Sequence, residues 1–241
     1  MKLSIIVPAH NEEDNIAGLI SRVEEFGYPF DFELIVSADH CIDSTVDIVR
    51  GLSKRFNNLR VVENSLPPGF ANALRTGFMN AQGDLVIPLM GDLCDDLNTI
   101  KEMYDKIREG YDVVCGSRYI RGGSRLGGSR VKGFFSMFAG WSLYYLLNIP
   151  THDIANAFKM YRRKVLNSLV IESKGFEISM ELPLKAYYLG FKITEVPTTW
   201  KEREKGKSSF KMFKLVPNYL RFYLWGISMR INALLKKEKK R

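Results

Sequence analysis

Cysteine is scarce in this sequence, and long uninterrupted apolar runs are missing from it. Three cysteines, Cys41, Cys94 and Cys115, stand far apart in 241 residues. This arrangement offers no paired spacing, so we expect reduced thiols in a cytosolic compartment rather than a disulfide framework. Met1 and Lys2 lead directly into an apolar run, and we therefore expect no signal peptide.

No segment has the length and apolarity of a transmembrane helix, which needs about 20 apolar residues. Residues 134–149 are too few, and residues 215–235 include two arginines and two asparagines. We expect both segments to form helices that lie on an apolar surface. A membrane surface is favoured because positive charge surrounds the two segments. The alternatives are packing against the protein's own core or against a second subunit, and the second alternative would make the protein a homo-oligomer.

Positive charge exceeds negative charge by 8, and Lys and Arg dominate the sequence from Arg118 onward. This gradient suits an anionic partner: a phosphate-bearing substrate, an anionic membrane face or a nucleic acid. We expect no nucleic acid, because the basic residues 121–130 lack the aromatic side chains on which single strands stack. For the basic residues at the end of the sequence, the alternative is a solvated tail that only aids solubility.

The first half of the sequence alternates short apolar runs with segments of helical periodicity. The predicted strands are residues 3–8, 32–37, 59–63, 84–89 and 112–115, and the predicted helices are residues 12–26, 43–56, 71–81 and 97–108. Buried strands joined by helical crossovers predict an α/β fold with a mostly parallel sheet and helices on both faces.

The second half is less regular. Residues 121–130 are rich in Gly, Arg and Ser and are predicted to be a mobile loop. The further predicted elements are helices over residues 134–147 and 177–188, strands over residues 157–162 and 193–199, and a second basic loop over residues 199–209. We expect one domain over residues 1–210 and a basic amphipathic helical appendage over residues 211–241.

Ligands bind at the carboxyl ends of the strands in such a sheet. This rule selects residues 8–12, 38–45 and 90–96, and all three segments are polar, acidic or both. Their coincidence is the first indication of a site. In the second segment, Asp43 is the predicted N-cap of the next helix and Asp39 is exposed at the turn; the alternative for Asp39 is that it only completes that turn.

Asp92 ends a buried strand and is the predicted catalytic and metal-binding residue. A carboxylate approaches a diphosphate only with a divalent cation between them, and Mg²⁺ suits this arrangement. The alternative is that Asp92 caps the next helix. Asp95 and Asp96 fit that cap better, because they directly precede the helix.

Several motifs occur in an order that is specific as a set. They are P-A-H-N-E (8–12), D-x-x-x-D-x-T (39–45), G-x-A-x-A-L-R-x-G (69–77) and the strand that ends in Asp92. In this order the sequence resembles family 2 glycosyltransferases of the GT-A fold. The later G-S-R-Y (116–119), Asp153 ahead of Ala157-Phe158, and R-x-x-G-x-S (203–208) resemble the dolichol-phosphate mannose synthase branch. The resemblance covers about residues 3–210.

The resemblance implies roles for individual residues. Those of the donor nucleotide pocket are Pro8, Ala9, Asn11, Glu12, Asp39 and Arg75, and Asp92 would hold a divalent metal (Mg²⁺ or Mn²⁺) and the diphosphate. The residues implied for the acceptor phosphate are Arg118, Lys132, Ser136 and Arg203. Basic residues are also expected there on physical grounds, because two anions have to be brought together. The alternative for each basic residue is simple solvation.

Three positions depart from the family pattern. Met90 stands where the first of two acidic residues around Gly91 is usual, Ala38 precedes Asp39 in place of an aspartate, and Cys94 replaces a common Gln. Metal binding is therefore expected to be weaker, or to depend on Asp92 with substrate oxygens and water. The base and the sugar of the donor stay open.

The expected function is a single inverting displacement. It moves a hexose, mannose or glucose in the first instance, from a nucleotide sugar to a polyprenyl (dolichyl) phosphate at the cytoplasmic face of a membrane. A phosphate nucleophile needs no strong base, although Asp95, Asp96 and Glu181 stay open as bases. The alternatives are a soluble glycosyltransferase acting on a polysaccharide or protein, and an inactive nucleotide-sugar-binding protein.

Overall fold

The computed structural model describes residues 1–92, 94–202 and 212–238, and the side chains within this range except those of 212–214 and 236–238. The elements of the first half are β1 (Leu3–Ala9), α1 (Ile16–Glu25), β2 (Phe32–Ala38), α2 (Thr45–Leu52), β3 (Leu59–Glu63), α3 (Phe70–Asn80), β4 (Leu85–Pro88), α4 (Asn98–Arg108) and β5 (Val113–Ser117). Those of the second half are β6 (Ser124–Leu126), α5 (Arg130–Leu147), β7 (Lys159–Arg162), α6 (Arg163–Asn167), α7 (Ile178–Tyr188), β8 (Ile193–Pro197), β9 (Thr199–Lys201) and α8 (Met212–Glu238).

Seven strands form one sheet in the order β3-β2-β1-β4-β7-β5-β8. All neighbouring strands are parallel except β7, which runs antiparallel to β4 and to β5. The predicted α/β architecture with a mostly parallel sheet is therefore confirmed. The carboxyl ends of β1, β2 and β4 lie side by side, which brings the three polar segments predicted from the sequence to one edge.

Helices cover both faces of the sheet, as predicted. On one face α1 and α4 bury Leu19, Ile20 and Met103 against the strands. On the other face α3 and α7 bury Leu74 and Leu182. Each such side chain stabilises the fold by about 1.5–3 kcal/mol when it is removed from water. The apolar stripe of each helix therefore explains why the helix packs on the sheet.

Two segments predicted as loops contain strands. β6 lies inside residues 121–130 and pairs in parallel with β9, which begins the second predicted basic loop. An isolated bridge between Asp95 and Trp200 joins this small sheet to the segment after β4. The loop prediction is wrong for these strands, because three-residue strands form through tertiary pairing and show no readable alternation. Residues 203–209 of the second loop lie outside the described residues.

Other boundaries also differ from the predictions. α1 begins at Ile16 rather than residue 12. The residues before it are tied to the turn ahead of α2, because the backbone N–H groups of Glu12 and Glu13 donate to Thr45 Oγ1 and Asp43 Oδ2. Ser44 rather than Asp43 is the N-cap of α2. The short helix α6 was not predicted.

α5 and α8 pack together on α7 through a separate small core. Leu143, Leu147, Met180, Leu184 and Phe222 form its centre. Among the residues that the structure describes, no helix combines the length and the apolarity needed to cross a membrane. The predicted domain boundary between residues 210 and 211 lies outside the described part of the chain.

Glu33 is a buried carboxylate that joins three neighbouring segments. It accepts hydrogen bonds from Ser4 Oγ (2.6 Å), Gln82 N (2.6 Å) and Arg60 Nη2 (3.2 Å). Burial opposes its ionisation, but these bonds hold the pKa of Glu33 below its ordinary value of 4.5.

We expect Glu33→Gln to lower the free energy of unfolding at neutral pH by about 1–3 kcal/mol, because an amide cannot accept all of these bonds. The folded-state pKa lies below the unfolded one, so the difference from wild type is complete above pH 4.5 and shrinks as the pH falls through the folded-state pKa. Urea unfolding over a pH series measures it, with the exposed Glu25→Gln as control. A difference that grows on acidification would contradict this account.

Candidate active site

A cavity of about 1060 Å³ opens at the carboxyl ends of β1, β2 and β4, where ligands bind in parallel sheets. Its walls differ in chemistry. The strand ends supply polar and acidic groups, the segments around β6 and the start of α5 supply basic groups, and α5 with α8 supplies an apolar arm.

The strand-end wall contains the first four residues predicted for the donor. Pro8, Ala9, Asn11 and Glu12 all line the cavity. Asn11 adopts a left-handed backbone conformation (φ 54°), and its side-chain oxygen accepts from Ile42 N (2.9 Å). The left-handed turn at Asn11 and the hydrogen bond between the segments that follow β1 and β2 thus position this wall.

Asp39 also lines the cavity, but it is 6% exposed rather than exposed at the turn as predicted, and two neighbours hold it in place. Its Oδ1 accepts from Asn64 Nδ2 (2.8 Å) and its Oδ2 from Gly69 N (2.9 Å). Asn64 is itself oriented by Thr76 Oγ1, which donates to Asn64 Oδ1 (2.9 Å). Each carboxylate oxygen can accept a second hydrogen bond. Asp39 is therefore already oriented to accept a hydrogen bond from an N–H or O–H group of a bound ligand.

Arg75 is the one described residue of the predicted site that does not line the cavity. Its guanidinium donates to Asn72 Oδ1 (2.7 Å), Ile171 O (2.6 Å) and Ser173 O (2.9 Å). These bonds join α3 to the segment before α7. The structure therefore places Arg75 behind the cavity wall and not in it.

Asp92 and Asp95 both line the cavity on the β4 side. Asp95 is 7% exposed, and its Oδ2 accepts from Met90 N (3.3 Å). Burial, and then the charge of Asp92, raises the pKa of Asp95 to about 7. The prediction that Asp95 or Asp96 caps α4 is wrong, because the N-cap is Leu97; Asp96 accepts from the backbone N–H of Asn98 beside it.

The two carboxylates are the candidate metal ligands. Within the described residues, no group of three or more His, Cys, Asp or Glu side chains is placed to hold a metal ion. Asp92 and Asp95 nevertheless fit a hard divalent cation, which completes its shell with substrate oxygens and water. Burial and then the charge of Asp92 disfavour the ionised form of Asp95, and a cation beside both groups would favour it.

Arg118 carries the deepest positive charge of the cavity wall. Its Nε and Nη2 donate to the two oxygens of Asp153 (2.7 and 2.8 Å), and Nη2 also donates to Ser136 Oγ (3.1 Å). Burial by itself lowers the pKa of Arg118, but the ion pair with Asp153 raises it above the ordinary value. The guanidinium therefore stays charged and presents its remaining donors to the cavity.

The other predicted acceptor residues lie at the start of α5. Lys132 and Ser136 line the cavity together with Arg118. Ser129 caps the helix and accepts from Lys132 N. Arg203 lies outside the described residues, so its predicted role stays a prediction.

Lys159, which is completely buried, stabilises the segment that carries Asp153 through hydrogen bonds to backbone carbonyls. Lys159 Nζ donates to Ile154 O (2.9 Å), to Ser179 O (3.2 Å) and to Asn156 O. Burial lowers the pKa of Lys159 to about 8. One side chain thus satisfies several carbonyls of an irregular segment that has few backbone partners of its own.

The apolar arm of the cavity continues onto an exposed surface of α5 and α8. The cavity-lining members are Phe135, Phe138, Leu215, Val216, Leu220 and Tyr223. Phe134, Trp141 and Leu146 extend the exposed face along α5, and Leu224 extends it along α8. We call this surface the aromatic face.

Sequence reasoning did not assign three of the cavity-lining residues to their places. The sequence indicates Asp95 as a cap or a base but not as a partner of Asp92, because its burial could not be read from the spacing. Arg125 and Trp200 line the cavity from β6 and β9, and no motif marked either strand.

The model of the family "Glycosyl transferase family 2" matches residues 4–170. A relative named dolichol-phosphate mannosyltransferase, from Pyrococcus furiosus, is 29% identical over 225 residues, which are 92% of this chain and 62% of that protein. The polyprenol monophosphomannose synthase of Mycolicibacterium smegmatis is 26% identical over 235 residues, or 95% of this chain and 88% of the relative. The chain thus spans less than two thirds of the first relative.

Solved structures agree on the fold. Glucosyl-3-phosphoglycerate synthase from Mycobacterium tuberculosis, in complex with Mn²⁺, UDP and glucosyl-3-phosphoglycerate, has a TM-score of 0.73 at 19% identity and covers 94% of this chain and 80% of that one. The same enzyme with Mg²⁺ and UDP also gives 0.73, at 18% identity, with 94% and 79% covered. This likeness bears out the predicted GT-A architecture.

We expect Asp153→Asn to lower the free energy of unfolding by about 3–5 kcal/mol, because it leaves the Arg118 charge buried without its partner. Asp153 is 0% exposed. Urea unfolding measures the loss.

The matched control is Asp105→Asn, which removes the partner of Arg108 from an exposed pair on α4. An exposed pair contributes less than about 1 kcal/mol. Equal losses in the two variants would contradict the assignment of a structural role to the buried pair.

Proposed function

The chain belongs to glycosyl transferase family 2 and is a glycosyltransferase, and from this premise we propose that it transfers a hexose from a nucleotide sugar to a polyprenyl phosphate at a membrane surface. One observation carries the proposal: a single cavity joins an acidic strand-end wall, a basic wall and an apolar arm. These walls match, in turn, the donor with its cation, the acceptor phosphate and the lipid chain.

The donor nucleotide lies along the strand ends in this proposal. Asp39 accepts from the base or ribose, and the backbone around Pro8 and Asn11 lines the pocket. Asp92 and Asp95 would hold a divalent cation, which supplies charge neutralisation to the departing diphosphate when bound. The absence of an acidic residue at Met90 is compensated by Asp95, which faces the same cavity.

The acceptor phosphate lies against Arg118, Lys132 and Ser136. These groups bind the phosphate, hold it in line with the donor sugar and offset its repulsion by the donor diphosphate. The phosphate oxygen is already anionic, so the attack needs no general base. A single displacement from the opposite side of the anomeric carbon then inverts its configuration.

The aromatic face supports a lipid acceptor over a soluble one. It continues the apolar arm of the cavity directly onto the surface, and clusters of exposed apolar side chains mark membrane or partner contacts. We place this face on the cytoplasmic side of the membrane, with the lipid chain entering between α5 and α8. Mannose is the first candidate sugar because the two relatives described above carry mannose in their names.

The test is a donor panel (GDP-mannose, UDP-glucose and others) with undecaprenyl phosphate and Mg²⁺ or Mn²⁺. We expect turnover with one donor and a loss of kcat of about 100- to 1000-fold in Asp92→Asn, because several kcal/mol of charge stabilisation are removed. Asp47→Asn, on the exposed surface of α2, is the control. Near-normal kcat in Asp92→Asn would overturn the metal assignment. Turnover only with soluble acceptors would overturn the proposal that the acceptor is a lipid phosphate.

We expect the double variant Phe134→Ser/Phe138→Ser to lose at least about tenfold in affinity for anionic vesicles, because each buried aromatic side chain contributes about 1.5–3 kcal/mol. Sedimentation with phosphatidylglycerol vesicles measures this. The control is Met79→Ser, which removes an exposed apolar side chain from α3. If both variants sediment like the wild type, the aromatic face does not contact the membrane.

A further inference from the structure

Arg125 is a cavity-lining arginine in β6 that no motif predicted. Its guanidinium carbon lies 5.0 Å from the centre of the Trp200 ring, in a cation–π contact with β9. Its Nη1 donates to Ser129 O (2.9 Å) at the start of α5. Three segments thus fix the position of one guanidinium.

Two glycines make room for this side chain. A Cβ atom at Gly128 would collide with Arg125 Nη2, and a Cβ atom at Gly133 would collide with Arg125 Nη1. Gly128 also has φ +72°, a conformation that favours glycine. The glycines of this segment therefore form a slot that fits the guanidinium.

Arg125 forms no ion pair within 4.0 Å among the described residues, and its guanidinium donates to Ser129 O. The acidic side chain on this part of the wall is Glu202, whose Oε2 accepts from Gly128 N (2.8 Å). Arg125 lies beside the first turn of α5, where the helix dipole is positive. An anion bound here would be attracted both by the guanidinium and by the helix N-terminus.

Arg125 packs against the same face of α5 that carries the predicted acceptor residue Ser136. Gly133, against which it packs, lies one turn before Ser136 on α5, and Ser136 accepts from Arg118. Residues three apart lie on the same side of a helix. Arg125 and Arg118 therefore lie on the same side of α5 and line the same cavity, as does Lys132.

We propose that Arg125, held by Trp200 and the Gly128–Gly133 slot, is a further phosphate-binding residue that recognises the phosphomonoester of the acceptor. This proposal rests on the proposed function and adds a residue to its acceptor site. A phosphomonoester occurs both on a lipid and on a small soluble acceptor, and the two sources are separated below.

The experiment compares Arg125→Met with wild type in steady-state kinetics, with farnesyl phosphate as acceptor. We expect the KM for the acceptor to rise about 10- to 100-fold, the effect of one or two charged hydrogen bonds, and the KM for the donor to change less than about threefold. Arg125→Lys is expected to recover part of the loss, because it keeps the charge but not the planar fork. Arg121→Met, an exposed arginine of the same segment, is the control.

Calorimetry separates this proposal from the proposed function. The ligands are farnesyl phosphate, 3-phosphoglycerate and farnesol, and thermal unfolding checks that each variant is folded. Weaker binding of both phosphate ligands to Arg125→Met, with farnesol binding unchanged, supports the role of Arg125. If the enzyme nevertheless turns over no lipid phosphate, the proposed lipid acceptor is overturned and the role of Arg125 is not. Equal phosphate binding by wild type and Arg125→Met, or a change confined to the donor KM, overturns the role of Arg125.

Discussion

The buried ion pair between Arg118 and Asp153 is the interaction on which the acceptor side of the cavity depends. An arginine charge can remain in the interior only if a carboxylate and hydrogen-bond acceptors compensate it. Asp153 in turn keeps its position because Lys159 ties the carbonyls of the same segment and because His152 pairs with Glu195 (2.5 Å). The segment also lies against α5 at Gly140, where a side chain would collide with His152 O. α5, β8 and this segment therefore form one unit around Arg118.

The cavity holds charges of both signs. Burial, and then the charge of Asp92, raises the pKa of Asp95. Arg118, Lys132 and Arg125 supply the positive charge of the same cavity. A cation beside the carboxylates and anions beside the basic groups would both be attracted here. Such an arrangement suits a reaction that brings two phosphate-bearing substrates and a cation together.

The first half of the fold was predictable because its signals are local. Continuous apolar strands and helices with a clear apolar stripe predicted β1 to α4 in the correct order. The strand pair β6–β9 was not predictable, because each strand has three residues and exists through its partner 75 residues away at Ser124 and Thr199. The start of α1 also differs: the residues before it bond to side chains of the segment ahead of α2, a contact that the local apolar pattern does not show.

Residue type and order by themselves determined the α/β class, the ligand edge of the sheet, and the presence of Asp39 and Asp92 at it, because the carboxyl ends of parallel strands meet at one edge. The place of Arg118 followed from the family resemblance. Tertiary structure alone decided which neighbours join them. It turned Asp95 toward the cavity, drew Arg75 away from it, and brought Arg125 onto Trp200. The reason is physical: burial, like-charge repulsion and close backbone approach depend on segments that are distant in the sequence and meet only when the chain is folded.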